Sequence, residues 1–114
     1  MIIEGVITEL PTPAEHAART ERGKKEGKGL GIVGVGVKKR TRGKPTFFRV
    51  TFQNTETDML ATHIVEDYAP GDPVVITADE STIQMVWEID EIARTSAVIK
   101  VWGMDIAPAV GDRS

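Results

Sequence analysis

Three glycines lie at a spacing that can hold a phosphate group. Gly29, Gly31 and Gly34 match the pattern G-x-G-x-x-G, in which the backbone cradles the pyrophosphate of a dinucleotide. That chemistry needs a helix directly after the glycines, because the helix N-terminus holds the anion. The residues that follow, VGVKKRTRGKP, are β-branched and basic and end in glycine and proline. They predict a strand and a turn instead of a nucleotide loop.

A second arrangement of the same residues suits a single-stranded nucleic acid. Gly34 and Gly36 share strand parity with Lys38, so glycines and cations lie on one face. The next predicted strand carries Phe47 and Arg49 on its polar face. Cations bind phosphates, and flat aromatic rings stack on unpaired bases. These residues therefore predict a groove for a single strand.

The charge distribution supports a basic binding face. The chain has a net charge of −3, yet 11 of its 14 Lys and Arg residues lie between Arg19 and Arg49, beside only Glu21 and Glu26. This asymmetry is typical of a basic face on an acidic body. The alternative is a solvated charged loop without a ligand.

We predict that the site combines phosphate-binding cations with residues that stack on bases. The candidates are Lys24, Lys25, Lys28, Lys38, Lys39, Arg40, Arg42, Lys44, Arg49, Phe47 and Trp87. For Trp87, packing within its own strand remains an alternative to base stacking. Trp102 is expected in the core or at a subunit interface.

Other chemistry finds little support. The chain has no cysteine, and nothing pairs His16 with His63, which we expect at the surface. Glu88, Asp90 and Glu91 are expected at a solvated hairpin tip. We therefore expect no catalysis, no metal, no cofactor and no small-molecule substrate.

The expected location is the cytoplasm, with the nucleoid or in a phage-infected host. MIIEGVITEL is too short for a signal sequence and is interrupted by a glutamate. No apolar run approaches the roughly 20 residues that a membrane helix needs, so we expect no membrane association.

The elements that would position these residues follow from periodicity and punctuation. A long flexible basic loop is predicted over 11–28, with at most one helical turn around residues 14–19. One helix, with Met59, Leu60, Ile64 and Tyr68 at helical spacing, is expected to be capped by Thr57 or Asp58. The predicted strands are 2–10, 30–40, 46–53, 74–78 with an extended arm over 83–89, and 97–106.

This order predicts an all-β domain. Five strands with one α-helix between strands 3 and 4, and a protruding hairpin between strands 4 and 5, is the layout of an OB-fold barrel. We place the domain at 1–107 and a short C-terminal tail at 108–114. Another small α+β or β-barrel domain is the alternative on pattern alone.

Three segments resemble the bacterial and phage single-stranded DNA-binding protein family. PTFFRVTFQN resembles its third strand, with Phe47 at the position of the DNA-stacking aromatic residue and Arg49 at that of an arginine. HIVEDYAPGDPVVITA resembles the end of its helix and its fourth strand, and TSAVIKVWGMDI its closing strand. Trp87 falls near an aromatic residue that the family carries on its hairpin.

The resemblance implies a function and an assembly. It implies an OB-fold that binds single-stranded DNA with little sequence preference during replication, recombination or repair, as a homo-oligomer, either a dimer or a tetramer. The first strand and Trp102 are candidate subunit contacts.

The hairpin departs from this family, because it is acidic between Asp79 and Glu91 where the family's hairpins are usually basic. Positive contacts would then come from the first loop and from the turn between the second and third strands. A protein-interaction or RNA-binding module of a replication or mobile-element complex remains the alternative.

Overall fold

The fold is a closed barrel of five strands with two helices. The computed structural model describes residues 1–25, 31–40, 45–89 and 95–109. The elements are β1 (Ile2–Glu9), α1 (Pro13–Lys25), β2 (Ile32–Arg40), β3 (Pro45–Gln53), α2 (Leu60–Asp67), β4 (Pro73–Ile89) and β5 (Thr95–Pro108). Neither described helix is long and apolar enough to cross a membrane.

The strands close in the order β1-β2-β3-β5-β4, and β4 returns to β1. All neighbours are antiparallel except β3 and β5, which pair in parallel from Phe48↔Ile99 to Thr51↔Trp102. This order confirms the predicted five-stranded barrel, although the described residues form two helices where one was predicted.

The barrel interior is filled by alternate residues of the strands. Val33, Val35 and Val37 of β2 are fully buried, as the predicted parity requires. Phe48 and Phe52 of β3 are also buried in the core. β5 approaches the Phe52 ring so closely that a side chain at its Gly103 would collide with it. Strand alternation thus fixes which residues remain for the outer surface.

Helix α2 covers the barrel with Ala61, Ile64 and Val65. Its existence was predicted, but the expected cap was wrong. The helix begins at Leu60, and the cap position, Met59, makes no side-chain capping bond. The residues before it form a local turn, in which the Asp58 amide donates to Thr55 Oγ1 at 3.0 Å.

Helix α1 corrects the prediction of a flexible loop over 11–28. Its start is a capping box, in which the Thr12 amide donates to Glu15 Oε1 at 2.9 Å and the Glu15 amide donates to Thr12 Oγ1 at 3.2 Å. Pro13 occupies the first helical position, where its missing N–H costs nothing. The sequence TPAE at residues 12–15 is therefore a helix-start signal, which the polar composition of the segment obscured. Residues 26–28 of the predicted loop lie outside the described residues.

One buried histidine attaches α1 to the barrel. His16 is buried, contrary to the expectation of a surface position, and its Nε2 lies 2.9 Å from Thr62 Oγ1 on α2. The same hydroxyl oxygen accepts a hydrogen bond from Asn54 Nδ2 at 2.9 Å. These contacts join α1, α2 and the end of β3. His63 is exposed, as predicted.

The hairpin of β4 and β5 extends beyond the barrel, as predicted. We call the paired segments 86–89 and 95–98, which lie beyond the part of β5 that pairs with β3, the arm. The predicted fourth strand and the extended segment are one strand, interrupted by a register shift between Asp79 and Gln84. Within that shift, Thr82 Oγ1 accepts a hydrogen bond from the Trp102 amide at 2.9 Å. The irregularity is where the barrel wall becomes the arm.

Candidate nucleic-acid interface

The candidate site begins on the outer face of β2 and β3. Phe47 is 37% exposed while its neighbour Phe48 is 6% exposed, so the predicted orientation of the two rings is confirmed. Phe47 pairs with Lys38, and Arg49 pairs with Gly36. An aromatic ring, two cations and a glycine backbone therefore lie together on one surface.

A cavity of about 360 Å³ opens beside Phe47. The end of β1 and the outer face of β2 and β3 form one side, and the arm forms the other. Its lining residues are Thr8, Glu9, Gly36, Phe47, Phe48, Arg49, Glu88, Ile89 and Val98. Val98 is only 7% exposed although it shares the outward parity of Lys100. The arm therefore curves over the outer face of β3.

A second cavity, of about 530 Å³, continues the first. Thr8, Glu9 and Arg49 line both cavities, and helix α1 contributes Glu15 and Arg19 to the second. Together they form one open depression, here called the groove, that runs from the arm past Arg49 to α1.

The irregular end of β1 supplies two consecutive lining residues. The register with β2 shifts between Ile7 and Glu9, where Ile7 pairs with Val37 and Glu9 with Gly36. Such a shift breaks the alternation of a strand, so Thr8 and Glu9 can both face the groove. A Cβ atom at Gly36 would lie 3.0 Å from Glu9 Cβ, so glycine permits this close approach.

The glycines serve a strand, as the sequence predicted. Gly34 and Gly36 lie in β2, which is followed by β3 and not by a helix. A Cβ atom at Gly34 would meet no atom closer than Arg49 Cγ at 3.9 Å. Gly34 therefore leaves the floor of the groove low beneath Arg49. Gly29 lies outside the described residues.

The groove has mixed charge. Arg49 and Arg19 line it with the carboxylates of Glu9, Glu15 and Glu88. Hydrogen bonds from Thr12 lower the pKa of Glu15, and the nearby positive charge of Arg19 lowers it further. The two arginines therefore face carboxylates of the protein itself before any ligand arrives.

One of these three carboxylates contacts Arg49 directly. Glu88 Oε1 accepts a hydrogen bond from Arg49 Nη2 at 2.7 Å, and each side chain is 37% exposed. The sequence suggested that Glu88 lies at a solvated hairpin tip. The structure shows instead that it forms an ion pair with Arg49. Asp90 and Glu91 lie outside the described residues.

The remaining predicted cations lie on β2, on α1 or outside the described residues. Lys38 lies beside Phe47, and Lys39 is opposite Thr46 near the end of the strand pair. Lys24 and Lys25 lie in the last turn of α1, where Lys24 Nζ is 3.7 Å from Glu21. Arg40 ends β2 opposite Pro45. Lys28, Arg42 and Lys44 lie outside the described residues.

The structure separates Trp87 from the groove. Trp87 lines neither cavity of the groove; it lies on the face of the arm opposite to Glu88 and Val98, is paired with Ala97, and is 71% exposed. That side continues the interior parity of the barrel past its end. Trp102 is 42% exposed on the outer face, so its expected place in the core is wrong; the subunit-interface alternative stays a prediction.

The groove residues that sequence reasoning missed include Arg19, Thr8 and Glu9, and it also missed a neighbouring cation, Lys100. Arg19 could have been found from the capping box, since it lies four residues after Glu15 on the same helix face. Lys100 of β5 pairs with Arg49 of β3 and adds a cation to the outer face. Thr8 and Glu9 depend on a strand irregularity that gives no composition signal.

Comparisons with known proteins identify the fold. Two crystal structures of the S. cerevisiae mitochondrial single-stranded DNA binding protein Rim1 are similar to this chain, each with a TM-score of 0.55 and 16% sequence identity. The similarity covers 95% of this chain and 91% or 90% of the Rim1 chain. No protein-family model matches the chain, and no curated protein sequence does.

Proposed function

We propose that this protein binds single-stranded DNA with little sequence preference and that it acts as a binding protein, not an enzyme. The observation that carries the proposal is the shared groove of Phe47 and Arg49 on the outer face of the barrel. Its support is the likeness in fold to Rim1, a single-stranded DNA binding protein.

The proposed contacts divide between bases and phosphates. A base stacks on the exposed ring of Phe47, which contributes about 1–3 kcal/mol and accepts any base, because every base has a π-face. Arg49 and Arg19 bind phosphates along the groove. Gly34 and Gly36 have no side chains, so the DNA strand can approach the backbone of the sheet there.

The cations outside the groove contribute at longer range. Lys24, Lys25, Lys38, Lys39, Arg40 and Lys100 raise the local concentration of an anionic strand, and we assign the same role to Lys28, Arg42 and Lys44. In this proposal, they compensate for the acidic residues between Asp79 and Glu91.

The proposed cellular role follows from this chemistry. A protein that covers unpaired DNA without regard to sequence protects it during replication, recombination or repair. We propose that it does so in the cytoplasm, with the nucleoid or in a phage-infected host, and as a homo-oligomer.

Titration with oligo-dT, followed by fluorescence anisotropy at low and at high salt, tests the function. We expect tight binding at low salt, with log K falling by roughly 0.7 per phosphate contact against log salt concentration. Duplex DNA should compete poorly.

Matched RNA oligomers serve as the second competitor, since the 2′-hydroxyl distinguishes the two backbones. If RNA binds more strongly than DNA, RNA and not DNA is the ligand. No uptake of either strand at low salt would reject the proposal.

A further inference from the structure

The ion pair between Arg49 and Glu88 joins two separate parts of the fold. Arg49 lies on β3 in the barrel wall, and Glu88 lies on the arm, 39 residues later. Their 2.7 Å contact bridges the cavity beside Phe47, which both side chains line. The arm therefore touches the groove at the cation best placed to meet a phosphate next to a stacked base.

A carboxylate and a phosphate compete for the same chemistry. Both present oxygen atoms to the planar fork of a guanidinium group, which binds either one through paired N–H donors. Here Nη2 of Arg49 donates to Glu88. Nε is buried and has no hydrogen-bond partner among the described residues. An incoming phosphate can use both donors only after the Glu88 carboxylate has moved away.

We propose that Glu88 is a built-in competitor of the ligand, an affinity-determining residue that occupies Arg49 until a DNA phosphate displaces it. This inference rests on the function proposed above. Binding then exchanges one ion pair for another at Arg49 and releases the arm from β3. The strand gains little net affinity from this phosphate, so stacking on Phe47 decides whether it stays bound.

The proposal and a purely structural role of Glu88 predict opposite changes in DNA affinity when Glu88 is replaced. If Glu88 only holds the arm or orients Arg49, its removal loosens the groove and weakens binding. If Glu88 competes with the phosphate, the substitution E88Q strengthens binding, because the amide keeps the size of the side chain but removes its charge. For an ion pair of this exposure, the expected gain in affinity is about two- to fivefold.

The salt dependence supplies an independent readout. In the wild type, the phosphate that reaches Arg49 replaces one anion by another and adds little to counterion release. In E88Q the same contact is new, so the slope of log K against log salt should steepen by roughly 0.7. A structural role would not steepen it.

The matched control is E80Q. Glu80 lies on the same strand, is exposed and lines neither cavity of the groove, so this variant makes the same change in net charge without freeing Arg49. We expect E80Q to bind like the wild type. In the R49Q background, E88Q should give no gain, since the two side chains act as a pair.

Oligo-dT titrations of these variants at several salt concentrations decide the matter, with circular dichroism as the check on folding. Wild-type binding with E88Q no tighter than E80Q overturns the inference alone. A gain that persists in the R49Q background also overturns it. Failure of both the wild type and E88Q to bind overturns the proposed function as well.

Discussion

Phe47 and Phe48 show how one position along a strand decides the role of a side chain. The two residues have the same chemistry, yet Phe48 is buried in the core and Phe47 is exposed beside the groove. Alternation along β3 separates them. The sequence revealed this because Arg49 and Gln53 share the parity of Phe47, and neither suits a barrel interior.

For this single residue, the substitution F47A tests base stacking. We expect a loss of about 1–3 kcal/mol in binding to oligo-dT, or roughly five- to 150-fold in Kd, because a stacked ring is removed. Anisotropy titration measures the change, and F47Y should retain most of the affinity because it keeps the ring.

The control for F47A is W102A. Trp102 has similar exposure, 42% against 37%, but does not line the groove. Equal losses in the two variants would remove Phe47 from the proposed contact surface.

Among the elements, α1 differs most from what composition suggests. Its segment is polar, charged and poor in large apolar residues, which is typical of a loop. The capping box of Thr12 and Glu15 begins the helix, and buried His16 attaches it to Thr62 of α2. The helix thereby brings Arg19 to the end of the groove.

The substitution R19E tests whether α1 lengthens the binding path. We expect weaker binding of long oligo-dT and a salt slope shallower by roughly 0.7, because one phosphate contact is lost. The shortest oligomers that still bind should be much less affected, since they can occupy the cavity beside Phe47 alone.

The matched control for R19E is R22E, which makes the same charge change one turn further along α1, at an exposed residue outside the groove. A titration series over oligomer length compares the two variants. If both weaken binding equally at every length, Arg19 acts only through general attraction.

In the whole molecule, several exposed apolar side chains lie on surfaces other than the groove. Ile2 and Val6 project from the outer face of β1, and Trp87 projects from the far side of the arm. Val6 lines a shallow cavity with Glu4 and Lys38, which carry opposite charges. In a two-fold symmetric contact, Glu4 of one copy can meet Lys38 of the other.

This surface makes the homo-oligomer testable. We expect light scattering after gel filtration to give a mass of two or four chains, and V6D to lower it, because a charge would then enter an apolar contact. The same measurement on W102D shows which of the two candidate surfaces forms the contact. A wild-type mass of one chain would contradict the prediction.

The sequence by itself determined the succession of strands with a helix between the third and the fourth, the outward position of Phe47 and Arg49, and the strand character of the glycine segment. Each of these follows from local alternation and turn residues, which act over a few positions. Tertiary structure alone decided the pairing of Arg49 with Glu88 and the arrival of Arg19 at the groove. Both depend on how the arm curves and how α1 docks, and contacts between residues far apart in the chain set those geometries.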